Sequence, residues 1–351
     1  MKICYFGMYA PNYSRNHILI KGFKENGVEI VECNVRSHLV WGFRHLKLVK
    51  KFIGIKGWNC DLIFVGFPGQ TDVPLAWVLG KIFHKKVVFD AFYSLYCSYV
   101  YDRKYFSKNS WKAKLWWFID WISCVLADKV ILDTNEHIKY FVKTFGIKKE
   151  KFSRVFVGTD TDIFFPRKTQ SRQGFSVGFH GSYLPLQGVD IIIETAKLLP
   201  EVIFRLLGNG LERKNIEILV HKHQLKNVQF LEQIPYGELA HFISSSDIYL
   251  GGPFGGNIKS RLVIPNKVYE AMACKKPVII GESAATQELF KDKIHCLFIT
   301  QNNPIDLARG ILELKNNNLL REKIAAEGYN LVINNFNPKR IVDNLIHELN
   351  I

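Results

Sequence analysis

Short apolar runs separated by longer amphipathic stretches come in two series along the sequence. The first comprises Lys2–Phe6, Val28–Val31, Leu62–Val65, Val87–Phe89 and Val130–Leu132. The second comprises Ser176–Phe179, Phe204–Leu207, Val228–Phe230, Ile248–Leu250, Val278–Ile280 and Cys296–Ile299. Apolar runs of this length suit strands buried on both faces of a parallel sheet, with the amphipathic stretches as crossover helices. Two series predict an α/β chain of two Rossmann-like, doubly wound parallel-sheet domains facing across a cleft, and 351 residues suffice for two. The segment Gly158–Pro166 followed by the polar stretch Arg167–Gly174 reads as a connection. The domains are accordingly expected at 1–166 and 172–336, joined near 163–174. Pro338–Leu349 has a helical pattern, so 337–351 either ends the second domain or crosses back to the first.

Apolar residues make up 48% and charged residues 23% of the chain, which excludes disorder, collagen and coiled coil. Lys and Arg number 47 against 32 Asp and Glu, a net charge of +15. That excess points to a polyanion: nucleic acid, an acidic membrane surface or a phosphorylated substrate. Seven cysteines without a CxxC pair make a disulfide framework or a zinc site unexpected, and a reducing cytoplasm the simplest home. Met1–Gly7 already reads as a strand entering a turn, so no signal peptide is expected. Leu115–Ala127 is too short to span a membrane and contains Asp120.

The segment Gly252–Ile280 carries the most chemistry. A glycine-rich turn follows the strand Ile248–Leu250, then Lys259, Arg261 and Lys267, then Pro265-Asn266 opening a helix that ends before Pro277. Glycines such as Gly255 and Gly256 let amides approach a ligand, and a helix N-terminus favours an anion. The three cations add full charge, and together these parts suit a diphosphate held without a metal. Glu270, one turn into the helix, can accept bonds from a ribose diol. The plainer alternative is a solvated basic loop with a Lys267–Glu270 surface pair.

The block Pro265-Asn266-Lys267-Val268-Tyr269-Glu270-Ala271-Met272-Ala273, with Lys276-Pro277-Val278-Ile279 after it, resembles the nucleotide-sugar signature of the GT4-type glycosyltransferases, two-domain enzymes of the GT-B fold. Gly178–Ser182, Pro185–Asp190, Leu206–Gly210 and Ser244–Ile248 follow the family's order, and Val157–Asp160 with Phe164-Phe165-Pro166 resembles its linker. The resemblance implies a nucleotide-diphosphate sugar donor bound by Gly181, Ser182, Gly188, Gly208, Asn209, Gly255, Gly256, Lys259, Arg261, Lys267 and Glu270. It also implies retention of anomeric configuration and no cofactor or metal. In the donor-binding half this sequence departs from the family in three places. Leu262 stands where the first of two glutamates is usual, and Ser182 and Gln187 stand where an Arg and a Lys usually hold the diphosphate. Lys259, Arg261 and Lys267 are the candidate replacements.

In the first domain, the loop after the opening strand contains Gly7, Ser14, Arg15 and Asn16. Ser14 is expected to cap the next helix, and the four are candidates on the acceptor side, Arg15 toward a phosphate or sugar. Asp90 follows the strand Val87–Phe89, where the family often carries a histidine, and is expected to orient the acceptor hydroxyl. Asp90 and Glu270 are thus the catalytic candidates. Asp102 and Arg103 read as a structural ion pair. Asp160-Thr161-Asp162 spells a metal-binding DxD, but its place in the connection favours turn-shaping residues. Eleven histidines show no metal spacing, and no metal ligands are assigned.

Residues 36–58 join Arg36, Arg44, Lys47, Lys50, Lys51 and Lys56 with Trp41, Phe43, Phe52 and Trp58, and no acid lies between Asn34 and Cys60. Residues 103–121 join Lys104, Lys108, Lys112 and Lys114 with Trp111, Trp116, Trp117 and Trp121. Tryptophan with lysine suits an anionic headgroup layer, which makes a glycan or lipid-linked acceptor on the inner membrane face the expected partner. No nucleic-acid-binding pattern is visible, and none is expected as partner. Two other readings stay open: an epimerase on a similar fold, and a non-catalytic module that binds nucleotide sugars.

Overall fold

The computed structural model describes residues 1–35, 41–169 and 173–349. The chain divides into two compact units: Met1–Val100, Lys104–Val157 and Asn337–Ile351 in the first, Tyr101–Arg103 and Gly158–Phe336 in the second.

Unit 1 contains β1 (Lys2–Gly7), β2 (Glu29–Asn34), β3 (Leu62–Val65), β4 (Lys86–Phe92), β5 (Lys129–Leu132) and β6 (Phe152–Arg154). They form one parallel sheet in the order β2-β1-β3-β4-β5-β6. Its helices are α1 (Ser14–Glu25), α2 (Trp41–Gly54), α3 (Val73–Phe83), α4 (Trp111–Leu126) and α5 (Asn135–Phe145). Every residue of β3 is buried, as expected of a strand with helices on both faces. The chain direction reverses between β1 and β3, so the loop after β1 sits at the switch point.

Unit 2 repeats the plan with β7 (Phe175–His180), β8 (Val202–Leu207), β9 (Val228–Leu231), β10 (Ile248–Leu250), β11 (Val278–Gly281) and β12 (Leu297–Ile299). The parallel order is β12-β11-β10-β7-β8-β9. Its helices are α6 (Val189–Leu198), α7 (Arg213–Lys222), α8 (Leu239–Ser244), α9 (Asn266–Ala273), α10 (Ala284–Gln287), α11 (Pro304–Asn316) and α12 (Asn318–Asn335). Val177, Phe179, Phe204, Leu206 and Ile192 lie in one continuous core. The switch point lies between β7 and β10, and brings the loops after those two strands together.

All the apolar runs read from the sequence are strands, so the two-sheet α/β expectation holds. The extra strand, β6, has only three residues, Phe-Ser-Arg, too few for a pattern. The division falls after Val157, earlier than the connection expected at 163–174. The physical reason is that Thr159 N donates to Phe336 O at 3.0 Å, while Phe164 is buried and packs edge-on against Tyr236 at 5.3 Å. Those contacts fasten the segment to unit 2.

The last helix, α13 (Pro338–Leu349), is grouped with unit 1 and packs along α1. Ile341, Val342, Leu345 and Leu349 make its buried face, at helical spacing. Gly22 of α1 permits the approach: a Cβ there would lie 2.2 Å from Pro338 O and 2.6 Å from Val342 Cγ2. Gly22→Ala is therefore expected to cost about 1–3 kcal/mol by overpacking. Thermal unfolding would measure the loss, and limited proteolysis would show earlier release of the C-terminal helix.

Candidate functional site

At the switch point of unit 2, β7 ends on His180 and Gly181 turns the chain. Gly208, at φ +126°, lies against that turn, where a Cβ would come within 2.1 Å of Gly181 O. Only glycine fits there. On the other side, the loop after β10 leads to Pro265 and α9. Pro265 has no side chain to cap the helix, and of the first-turn amides that of Val268 donates to Pro265 O at 3.0 Å.

Lys267, in the first turn of α9, is 4% exposed. Its Nζ donates to Gln187 Oε1 at 2.6 Å, sits 3.9 Å from the Phe179 ring centroid, and abuts Gly181. Burial pushes its ammonium down to about 7, partly offset by the charge of Glu270. The side chain thus reaches Gln187, one of the two loop positions from which the usual cations are missing, and lies against Gly181, next to the other.

Glu270 is buried one turn further on. Its Oε2 faces His180 Nε2 at 2.9 Å, off the line of a hydrogen bond, and its Oε1 meets Tyr236 OH at 3.5 Å. His180 Nδ1 is hydrogen-bonded to Tyr249 OH. A chain Tyr249–His180–Glu270–Tyr236 therefore orients the carboxylate while leaving Oε2 able to accept. His180 carries no role in the sequence reading. Its signal was its place as the last residue of β7, directly before the turn at the switch point.

The other donor candidates divide. Ser182, Asn209 and Gly256 are exposed. Gly188 takes the left-handed backbone, and Gly255 N donates to Leu186 O at 3.1 Å. The Gly255 amide thus joins two loops rather than cradling an anion. Arg261 is exposed, whereas Lys259 is buried with its Nζ 3.8 Å from Asp102 Oδ2. Asp102 accepts from Leu186 N and Asn257 Nδ2, both at 2.9 Å. Asp102 is thus engaged by loops of unit 2 while the charge of its neighbour Arg103 also acts on it, and one expectation is corrected: Lys259 faces a carboxylate of the protein itself.

In unit 1, Arg15 and Asp90 meet each other. Arg15 Nε and Nη2 bond the two Asp90 oxygens at 2.9 and 3.0 Å, and Nη1 donates to Val155 O and Phe156 O. Both residues are fully buried. Each was expected to face a ligand, and each is instead occupied by the other. Ser14 does not cap α1: Tyr13 holds the cap position, and Ser14 Oγ has no hydrogen-bond partner. Asn16 braces the loop by accepting from Tyr5 OH and Phe67 N and donating to Phe67 O and Ala10 O. Gly7 abuts Asp72, which accepts from Met8 N at 2.9 Å. A second buried pair, Asp133 and His137, lies after β5. It was missed in the sequence, where the only signal is a carboxylate directly following an apolar strand.

Asp160 Oδ1 accepts from Asp162 N at 3.0 Å, an Asx turn, so the DxD segment shapes the backbone. Among the described residues no group of three acidic, histidine or cysteine side chains is placed to hold a metal ion.

Residues 161–331 match the family glycosyl transferases group 1. An uncharacterized glycosyltransferase of Methanocaldococcus jannaschii, MJ1178, is 33% identical over 157 residues, 43% of this chain and 41% of that protein. The lipopolysaccharide core biosynthesis glycosyltransferase LpsE of Rhizobium meliloti is 24% identical over 164 residues, 46% of each. The match spans less than half the length of these curated relatives. Two solved structures share the fold. The Anabaena protein Alr3699/HepE, in complex with UDP and glucose, gives a TM-score of 0.74 at 18% identity, covering 100% of this chain and 99% of its own. Sucrose-phosphate synthase from Thermosynechococcus elongatus gives 0.75 at 16%, covering 99% of each. Two six-stranded parallel sheets are the GT-B architecture, and residues 161–331, just under half of the chain, are similar to the group 1 glycosyltransferases.

Proposed function

We propose that this chain transfers a sugar from a nucleotide-diphosphate donor to a glycan or lipid-linked acceptor at the inner face of a membrane, with retention and without a metal ion. The observation that carries this reading is the buried ammonium of Lys267 at the start of α9, with Glu270 one turn on. A diphosphate beside Lys267 would meet a full positive charge and the positive end of the helix dipole. The leaving nucleotide gains charge as the glycosidic bond breaks, so fixed positive groups at this spot stabilise the transition state more than the ground state. Glu270 Oε2 is placed to accept from a ribose hydroxyl, and His180 and Tyr236 act on it as positioning residues. Asp90, engaged by Arg15, serves the acceptor side through the loop it holds, not by direct contact.

The solved relative with bound UDP and glucose supports a nucleotide-sugar donor, and the relative named for lipopolysaccharide core biosynthesis supports a cell-surface glycan as acceptor. No described helix is long and apolar enough to cross a membrane, so contact with one would be peripheral. Calorimetry with UDP-, GDP-, ADP- and dTDP-sugars tests the donor site. One donor should bind equally well with and without EDTA. Binding that needs Mg²⁺ or Mn²⁺ would overturn the metal-free reading, and no binding at all would overturn the donor site. Transfer only when an acceptor is added would separate this enzyme from an epimerase.

A further inference from the structure

Strand order fixes which helices of unit 1 share a side. From β2 to β3, β3 to β4, β4 to β5 and β5 to β6 the chain always advances in the same direction across the sheet, whereas α1 leads the opposite way, from β1 to β2. Right-handed crossovers therefore put α2, α3, α4 and α5 on one face and α1 on the other. The packing agrees: α3 contacts α4, α1 contacts α13, and Trp58, just after α2, stacks on Phe83 of α3 at 5.6 Å.

The outer side of that layer is unusually apolar. Phe43, Leu46 and Ile53 of α2 are exposed, Phe43 by 66%. So are Val78 and Ile82 of α3. On α4, Trp111, Leu115, Phe118 and Val125 repeat at helical spacing along one exposed stripe, with Trp111 at 70%. Exposed apolar side chains scattered singly need no explanation, but a series running over three adjacent helices does. Between them stand the exposed lysines Lys47, Lys50, Lys81, Lys112 and Lys114. Helices α2 and α3 contain no Asp or Glu, and the single acid of α4, Asp120, is buried, accepting from Ser94 Oγ and Tyr96 N. The patch stops at α5, which has no exposed large apolar residue and pairs Glu136 with Lys139.

We infer that the outer face of α2, α3 and α4 docks unit 1 on an anionic lipid surface. The inference rests on the preceding reading for its membrane-bound acceptor and names the surface that meets the membrane. An apolar protein partner would not need lysines without a single exposed carboxylate among them. A headgroup layer does, because the phosphates pair the lysines while the aromatic and aliphatic side chains enter the acyl boundary. The face includes α3, which the aromatic-basic segments of the sequence do not contain.

Sedimentation of the full chain with vesicles tests it. The chain should pellet with phosphatidylglycerol–phosphatidylcholine vesicles and not with phosphatidylcholine alone, and should be released by high salt. Each lysine near an anionic surface is worth about fivefold in partitioning, so Lys112→Glu/Lys114→Glu should weaken binding by about twentyfold or more. Trp111→Ser/Phe118→Ser should weaken it comparably. All four side chains lie outside the core and outside the donor site, so thermal unfolding and nucleotide-sugar binding should be unchanged. If either pair disturbs folding, Lys47→Glu/Lys50→Glu on α2 makes the same test. Equal binding to neutral vesicles, no binding to anionic ones, or variants that bind like the parent would overturn the inference, as would a dimer that covers this face and ignores vesicles. Vesicle binding without donor binding would remove the donor reading and leave this one; donor binding without vesicle binding would do the reverse.

Discussion

Replacing Lys267 by alanine is expected to weaken nucleotide-sugar binding about 10- to 100-fold, the loss of one charge-assisted hydrogen bond. The folded protein itself should tolerate the change, because burying that amine is costly. The pH dependence carries a sharper signature. In the free protein Lys267 titrates at about 7, since burial strips water from its ammonium. A bound diphosphate favours the charged form. Binding above pH 7 must then take up a proton, and affinity should fall with rising pH, by up to about tenfold per unit. Stability moves the other way. Between about 7 and the ordinary value of 10.5 the unfolded chain holds a proton that the folded chain lacks, so the Lys267 contribution favours folding more as pH rises through that window and is least favourable below it. Calorimetry in buffers of different ionisation enthalpy would read the proton uptake. Unchanged donor affinity in Lys267→Ala, or no proton uptake at pH 8, would remove Lys267 from the site.

Asp90→Ala is expected to be the most destabilising single substitution in unit 1. It leaves the Arg15 guanidinium fully buried without its partner, which costs about 3–5 kcal/mol. For a unit of this size that is a fall of about 10 °C or more in Tm. The double variant Arg15→Met/Asp90→Leu, which removes both charges and keeps the volume, should recover most of the loss. Differential scanning calorimetry distinguishes the outcomes. A mild loss in Asp90→Ala together with abolished transfer would restore Asp90 as a group that touches the acceptor.

How much of this was legible in the sequence depends on whether a property is local. Strands such as Ile248–Leu250 and the helix Pro338–Leu349 are written in runs of neighbouring residues, and both fall where the pattern puts them. Partnerships are not local. Arg15 and Asp90 are 75 positions apart, and nothing in either neighbourhood says that they meet. The same holds for Asp102 and Lys259. Ser14 has the right side chain for a cap, but tertiary packing starts the helix one residue too early for it. That Lys267 and Glu270 share one helix end was legible, because helical spacing puts them there. His180 was not, because a strand-terminal histidine looks alike whether it braces a carboxylate or only fills space.

The return of α13 to α1 also orders the events of synthesis. Unit 2 is emitted as an almost unbroken stretch, Gly158–Phe336, before the last helix of unit 1 exists. Until then the groove at Gly22 lies bare, and the buried side chains of α13 have nothing to cover. A ribosome moving at about 5–20 residues per second needs on the order of ten seconds or more to cross unit 2. Over that interval the first domain waits with one flank of its apolar layer open to water and to chaperones, while the second can already close its own core.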